Sequence, residues 1–142
     1  MIRFRSHTPK RRLNPTNSPK GDNWSEHKSD LKVDFRHRCG YCNSYDGFRH
    51  TYFEVDHFIP KNFLKTYRYF SLTDYRNLVY SCKFCNNAKR AKWPSKNRKT
   101  HNNGTIGFVD PCDRTYNSHF YRTADGDHVA DRAWKVDVFP GV

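Results

Sequence analysis

Two adjacent side chains, Asp56 and His57, sit in the apolar run Val55-Asp56-His57-Phe58-Ile59-Pro60, with Asn77 and Asn86 downstream of them. A histidine titrates near neutral pH and can take a proton from water. A carboxylate and an amide carbonyl are hard oxygen donors of the kind Mg²⁺ or Mn²⁺ prefers. Neighbouring residues on a strand point to opposite sides, so Asp56 and His57 need not share a role. Together these residues have the parts of metal-assisted phosphodiester hydrolysis, in which a base activates water and a Lewis acid meets the charge on the departing 3′ oxygen. Asp56 is assigned to the ion and His57 to the water. Asn77 is placed to accept a hydrogen bond from a ring nitrogen of His57 and fix its tautomer. Asn86 is the second metal donor, with Asn87 as its local competitor. Each piece has a plainer reading, an Asp-His loop contact or an Asn in a turn, and only their order makes them specific.

A second set brackets the first. Cys39-Gly40-Tyr41-Cys42 and Cys82-Lys83-Phe84-Cys85 are two Cys-x-x-Cys knuckles. Four thiolates close a tetrahedral shell around Zn²⁺ with no open position, which makes the ion structural. Two local disulfides or free thiols are the alternatives, and a chain read as non-secreted argues against disulfides. Cys112 has no such partner and reads as an idle or buried thiol.

The elements that must position these groups follow from pattern. Asn23 and Glu26 have capping-box spacing, and Trp24, His27, Leu31 and Phe35 recur at helical spacing, which predicts a helix of about three turns to near Arg38. Tyr52 to Phe58 is rich in aromatic and β-branched residues and reads as a strand ended by Pro60. A loop or short helix covers 61–75, and Leu78-Val79-Tyr80 is a second strand. Ser81 is the expected cap of a helix starting near Cys82 and stopping before Pro94. Trp93 reads as core packing, Lys96 to Gly107 as a loop, and the last 35 or so residues as weakly patterned.

Composition bounds the class. With 142 residues and 35% apolar content, the core of a single domain is thin, and a metal staple suits it. Lys and Arg outnumber Asp and Glu by 26 to 14, and a formal charge of +12 points to a polyanionic partner. Residues 1–20 carry six of these cations and no acid, and with Pro9, Pro15, Pro19 and Gly21 the first 23 residues read as a flexible basic arm. Lys89, Arg90 and Lys92 follow Asn86 and are expected to meet phosphates. With neither a membrane-spanning run nor a secretory leader, the expectation is a cytoplasmic protein without a membrane partner.

Asp56-His57, Asn77 and Asn86, set among Cys39, Cys42, Cys82 and Cys85, resemble the HNH family of nucleases over about residues 38–93. The resemblance implies an α+β fold: a ββα-metal core stapled by a four-cysteine zinc site, with an N-terminal helix and an irregular C-terminal extension over 94–142, all within one domain, 24–142. It implies His57 as general base, Asp56 and Asn86 as ligands of Mg²⁺ or Mn²⁺, Asn77 as the orienting residue, and DNA as substrate. The family's third motif position is His, where this chain has Asn86, as many members do. Phe108-Val109-Asp110-Pro111 and His119-Phe120 are similar to the HNH subunits of Septu-type and retron-associated anti-phage systems, which implies an ABC-type ATPase partner. One such site cuts one strand, so double-strand cleavage calls for a homo-oligomer or larger assembly. The competing readings are a non-catalytic zinc-stapled nucleic-acid-binding module and an RNA-cleaving, toxin-like nuclease.

Overall fold

The computed structural model describes residues 2–48, 52–67, 71–94, 97, 100, 101, 107–125 and 128–130, the side chains of Tyr67 and of 128–130 excepted. In chain order the elements are β1 (Ile2–Arg3), a 3₁₀ turn (Trp24–His27), α1 (Lys28–Asp34), a 3₁₀ turn (Asp46–Phe48), β2 (Phe53–His57) and α2 (Lys61–Tyr67). Then come a 3₁₀ turn (Tyr75–Asn77), β3 (Leu78–Cys82), α3 (Lys83–Lys89), α4 (Tyr116–His119), β4 (Phe120–Arg122) and β5 (His128–Ala130). The class is α+β, as the sequence leads one to expect.

The centre is an antiparallel ribbon of β2 and β3 that runs directly into α3. Its register pairs Phe53 with Cys82, Val55 with Tyr80 and His57 with Leu78. All five β3 residues are buried, since α1 and the first knuckle also pack against this strand. Leu31, Phe35, Phe53, Leu78, Val79 and Tyr80 form the heart of the core. Gly40 lets the knuckle lie on it: a Cβ there would meet Phe35 Cε1 and Val79 Cγ1, each at 2.7 Å, while its amide donates to the Tyr80 carbonyl at 2.8 Å.

Several local expectations are corrected. The first helix is a 3₁₀ turn followed by two turns of α-helix, and Asn23 makes no side-chain cap. It ends at Asp34 because Arg36 and His37 take left-handed backbone angles, φ 54° and 59°, that turn the chain toward Cys39. Helix α3 is capped by Cys82 instead of Ser81, the sulfur accepting from the Cys85 amide at 3.5 Å, and it stops at Lys89 because Arg90 is left-handed at φ 47°. Trp93 packs on the core as expected, stacked on Phe108 with ring centroids 5.9 Å apart. The loop expected from Lys96 to Gly107 lies largely outside the described residues.

The largest difference is the N-terminal segment. Residues 2–23, expected as a flexible arm for a polyanion, lie docked on the domain. Strand β1 pairs with β4, which pairs with β5, and buried Phe4 joins Tyr116 and Phe120 in a second small core. Arg11 makes a two-pronged contact with Asp110 at 2.9 and 3.0 Å and donates to the Leu78 carbonyl at 2.7 Å. Arg12 bonds Asp30 and Asp34, and the Thr16 amide and hydroxyl both reach Asp30. Composition suggests disorder, but acids from elsewhere in the chain neutralise these arginines, and guanidinium geometry favours such paired contacts. The same contacts account for Asp110, which lies within the second sequence resemblance and is spent on holding the segment down.

Candidate metal centre

Four sulfurs come together first. The Sγ atoms of Cys39, Cys42, Cys82 and Cys85 all lie within 4.8 Å of one another, and all four residues are buried. Cys42 and Cys82 are 3.8 Å apart, far beyond the roughly 2.05 Å of a disulfide. It is the edge of a tetrahedron with metal–sulfur bonds of about 2.3 Å, the zinc–thiolate length. Hydrogen bonding to the neighbouring sulfurs pushes the Cys42 thiol far below its ordinary range, whereas burial raises that of Cys39. The donor set fits a closed zinc site. It ties the turn after α1 to the start of α3, across the ribbon. Among the described residues it is the one group of three or more His, Cys, Asp or Glu side chains at ligating separation. Cys112 stands apart, half-buried, its thiol pushed up to about 11 by burial.

Directly beside the cluster, Asp56, His57 and Asn86 line one cleft between the end of β2, the start of α2 and α3. Each is tethered by one polar atom. For Asp56 it is Oδ2, which accepts from the Tyr41 hydroxyl at 2.5 Å and lies 3.3 Å from the Lys89 ammonium. For His57 it is Nε2, 2.7 Å from the Leu72 carbonyl; that bond puts the ring proton on Nε2 and leaves Nδ1 with its lone pair. For Asn86 it is Nδ2, which donates to Glu54 Oε2 at 2.5 Å. Among the described residues, Asp56 Oδ1, His57 Nδ1 and Asn86 Oδ1 have no hydrogen-bond partner. These are two hard oxygens and one basic nitrogen, the donor set a divalent ion and a proton-abstracting group require. Burial lowers the His57 pKa from its ordinary value; the charges of Lys61 and Lys89 act in the same direction, and the Leu72 carbonyl and Asp56 oppose them. The net direction favours the neutral ring. The Trp24 ring stands edge-on against it, centroids 4.9 Å apart.

Asn77 does not bond His57. Its side chain closes both ways on Ile59, Oδ1 accepting from the amide at 2.9 Å and Nδ2 donating to the carbonyl at 3.1 Å. Its carbonyl also takes the Phe58 amide at 2.9 Å. Asn77 thus fixes the chain where it leaves β2, while a backbone carbonyl that sequence reasoning could not single out orients His57. Lys89 is corrected too: it is fully buried, donates to the His57 carbonyl at 2.8 Å and faces Asp56, so it cannot meet a phosphate. Arg90 and Lys92 are exposed as expected, and Arg90 shares the cleft wall with Lys61 and Lys65 of α2. Asn87 is exposed and no side-chain tether holds it, unlike Asn86. Glu54, Tyr41 and Leu72 were missed. Period-two alternation from Asp56 was the available signal for Glu54; nothing local marks the other two.

A two-stranded antiparallel ribbon leading into one helix, with four clustered cysteines that could hold zinc beside a small oxygen-and-imidazole cleft, defines a unit of the ββα-metal architecture. Residues 39–92 match the model of the HNH endonuclease family, a segment that begins and ends with this unit. Comparison with curated proteins and with solved structures returned no significant match. Among the described residues, no helix is long and apolar enough to cross a membrane.

Proposed function

We propose that this protein is a divalent-metal-dependent endonuclease that hydrolyses DNA phosphodiester bonds. The observation that carries the reading is the common pattern of Asp56, His57 and Asn86, each tethered by one polar atom with its other donor in the same cleft. Nδ1 of His57 takes a proton from water as the oxygen attacks phosphorus and the bond to the 3′ oxygen breaks. The Leu72 carbonyl, holding the Nε2 proton, stabilises the imidazolium that results. Asp56 and Asn86 would hold the Mg²⁺ or Mn²⁺, which supplies Lewis-acid stabilisation of the departing oxygen. Lys61, Lys65 and Arg90 line one wall of the cleft, where they meet the backbone of the strand being cut.

An anti-phage role with an ABC-type ATPase partner belongs to this proposal only through the sequence resemblance at 108–111 and 119–120. The side chains there are largely committed to the fold: Phe108 lies in the main core, Asp110 on Arg11, and Phe120 in the second core. DNA is favoured over RNA by that same resemblance, and paired strand cleavage would take two copies or a larger assembly. The test is plasmid nicking in Mg²⁺ or Mn²⁺. His57→Ala is expected to abolish cutting while keeping zinc and DNA affinity. Cutting at the wild-type rate by His57→Ala would end the proposal.

A further inference from the structure

We infer that Glu54 is a positioning residue that fixes which end of the Asn86 amide faces the ion, an inference resting on the metal-site reading above. Glu54 lies two residues before Asp56 on β2, so both side chains leave the same face of the strand. Asn86 reaches it from the first turns of α3, Nδ2 to Oε2, at 2.5 Å. An amide has one accepting and one donating end, and a half-turn about its last torsion exchanges them. A hard cation takes only the carbonyl end. A carboxylate accepts and cannot donate, so Glu54 can hold only the NH₂ end, and Oδ1 is left on the opposite side. Without this contact the amide can present NH₂ to the cation, which binds nothing there.

Two features distinguish a holder from a ligand. Glu54 already spends its near oxygen on Asn86, and Glu54, Asp56 and His57 do not themselves converge to ligating separation. The neighbouring Asn87 lies on the same cleft but is exposed, with no acceptor to set its amide. The ion is therefore expected to discriminate between the two asparagines through a residue outside the motif.

The experiment is Mn²⁺ titration of the zinc-loaded full chain, followed by electron paramagnetic resonance of free Mn²⁺, with zinc content and circular dichroism as checks on folding. Asp56→Ala is expected to lose binding. Glu54→Ala is expected to weaken it by about tenfold or more, as loss of an outer contact to a metal ligand does. Glu54→Gln offers a donor as well as an acceptor and can hold the amide either way round, so it is expected to fall between wild type and Glu54→Ala. If Glu54→Ala binds Mn²⁺ normally while Asp56→Ala does not, Glu54 has no such role. If Glu54→Ala weakens binding just as much in an Asn86→Asp background, where either oxygen can meet the cation, Glu54 acts through its charge or as a ligand, and the positioning role is wrong. Normal binding by Asp56→Ala would overturn the metal-site reading itself, and this inference with it.

Discussion

The Tyr41 hydroxyl, carried between the two cysteines of the first knuckle, donates at 2.5 Å to Oδ2 of Asp56 in the middle of the cleft. Lys89, on the helix that Cys82 and Cys85 begin, lies 3.3 Å from the same oxygen. Both partners of Asp56 are thus mounted on the segments that carry the clustered cysteines. The sulfur cluster sets the position of a side chain that is not one of its ligands.

Stripping a metal from the sulfur cluster should therefore undo the fold that positions Asp56. A chelator strong enough to strip zinc, or Cys82→Ser, is expected to abolish the cooperative thermal transition, because a structural zinc site contributes folding free energy outright. Retention of a sharp transition in metal-free protein, seen by circular dichroism, would show that the thin core holds without its staple.

Lys89 and Arg90 are adjacent cations with opposite expected phenotypes. Lys89→Met leaves the buried Asp56 carboxylate without its ion-pair partner, so it should destabilise the fold by about 3 kcal/mol or more and leave the salt dependence of DNA binding unchanged. Arg90→Ala should spare the metal and lower the salt slope by about one. A lowered salt slope for Lys89→Met would mean that its burial is not maintained when DNA binds.

Under the proposed mechanism the acid limb of the pH–rate profile is expected to report His57. Its pKa is lowered in the folded protein, so the neutral base persists below the ordinary imidazole value of 6.5 and activity is lost only as pH falls through the lowered pKa. Rates measured from pH 4.5 to 8 in Mn²⁺ should show a midpoint below 6.5. A midpoint above it would contradict the neutral, Leu72-bound ring.

The N-terminal segment should behave as structure. Arg11→Ala leaves Asp110 and the Leu78 carbonyl without their guanidinium, and a broken, largely buried pair costs about 3 kcal/mol, toward the lower end because Asp110 is partly exposed. Urea unfolding would measure it. A change under about 0.5 kcal/mol, the ordinary range for surface substitutions, would return the segment to the status of a loose arm.

The sequence by itself determined the four clustered cysteines, the ribbon-and-helix order and the three residues Asp56, His57 and Asn86 that line the cleft, because each of these is written in short-range form. Two-residue cysteine spacing makes a chelating turn, aromatic and β-branched runs make strands, and Cys85 is next to Asn86 on one helical turn. Only the tertiary structure decided the rest. Leu72 offers His57 a backbone carbonyl, and every residue has one. Lys89 reads as a phosphate contact until its helix turns it inward onto Asp56. Arg11 and Arg12 look unpaired in sequence because Asp30, Asp34 and Asp110 stand 18 to 99 positions away. Composition along a chain registers charge, but the partner that neutralises it is fixed by packing.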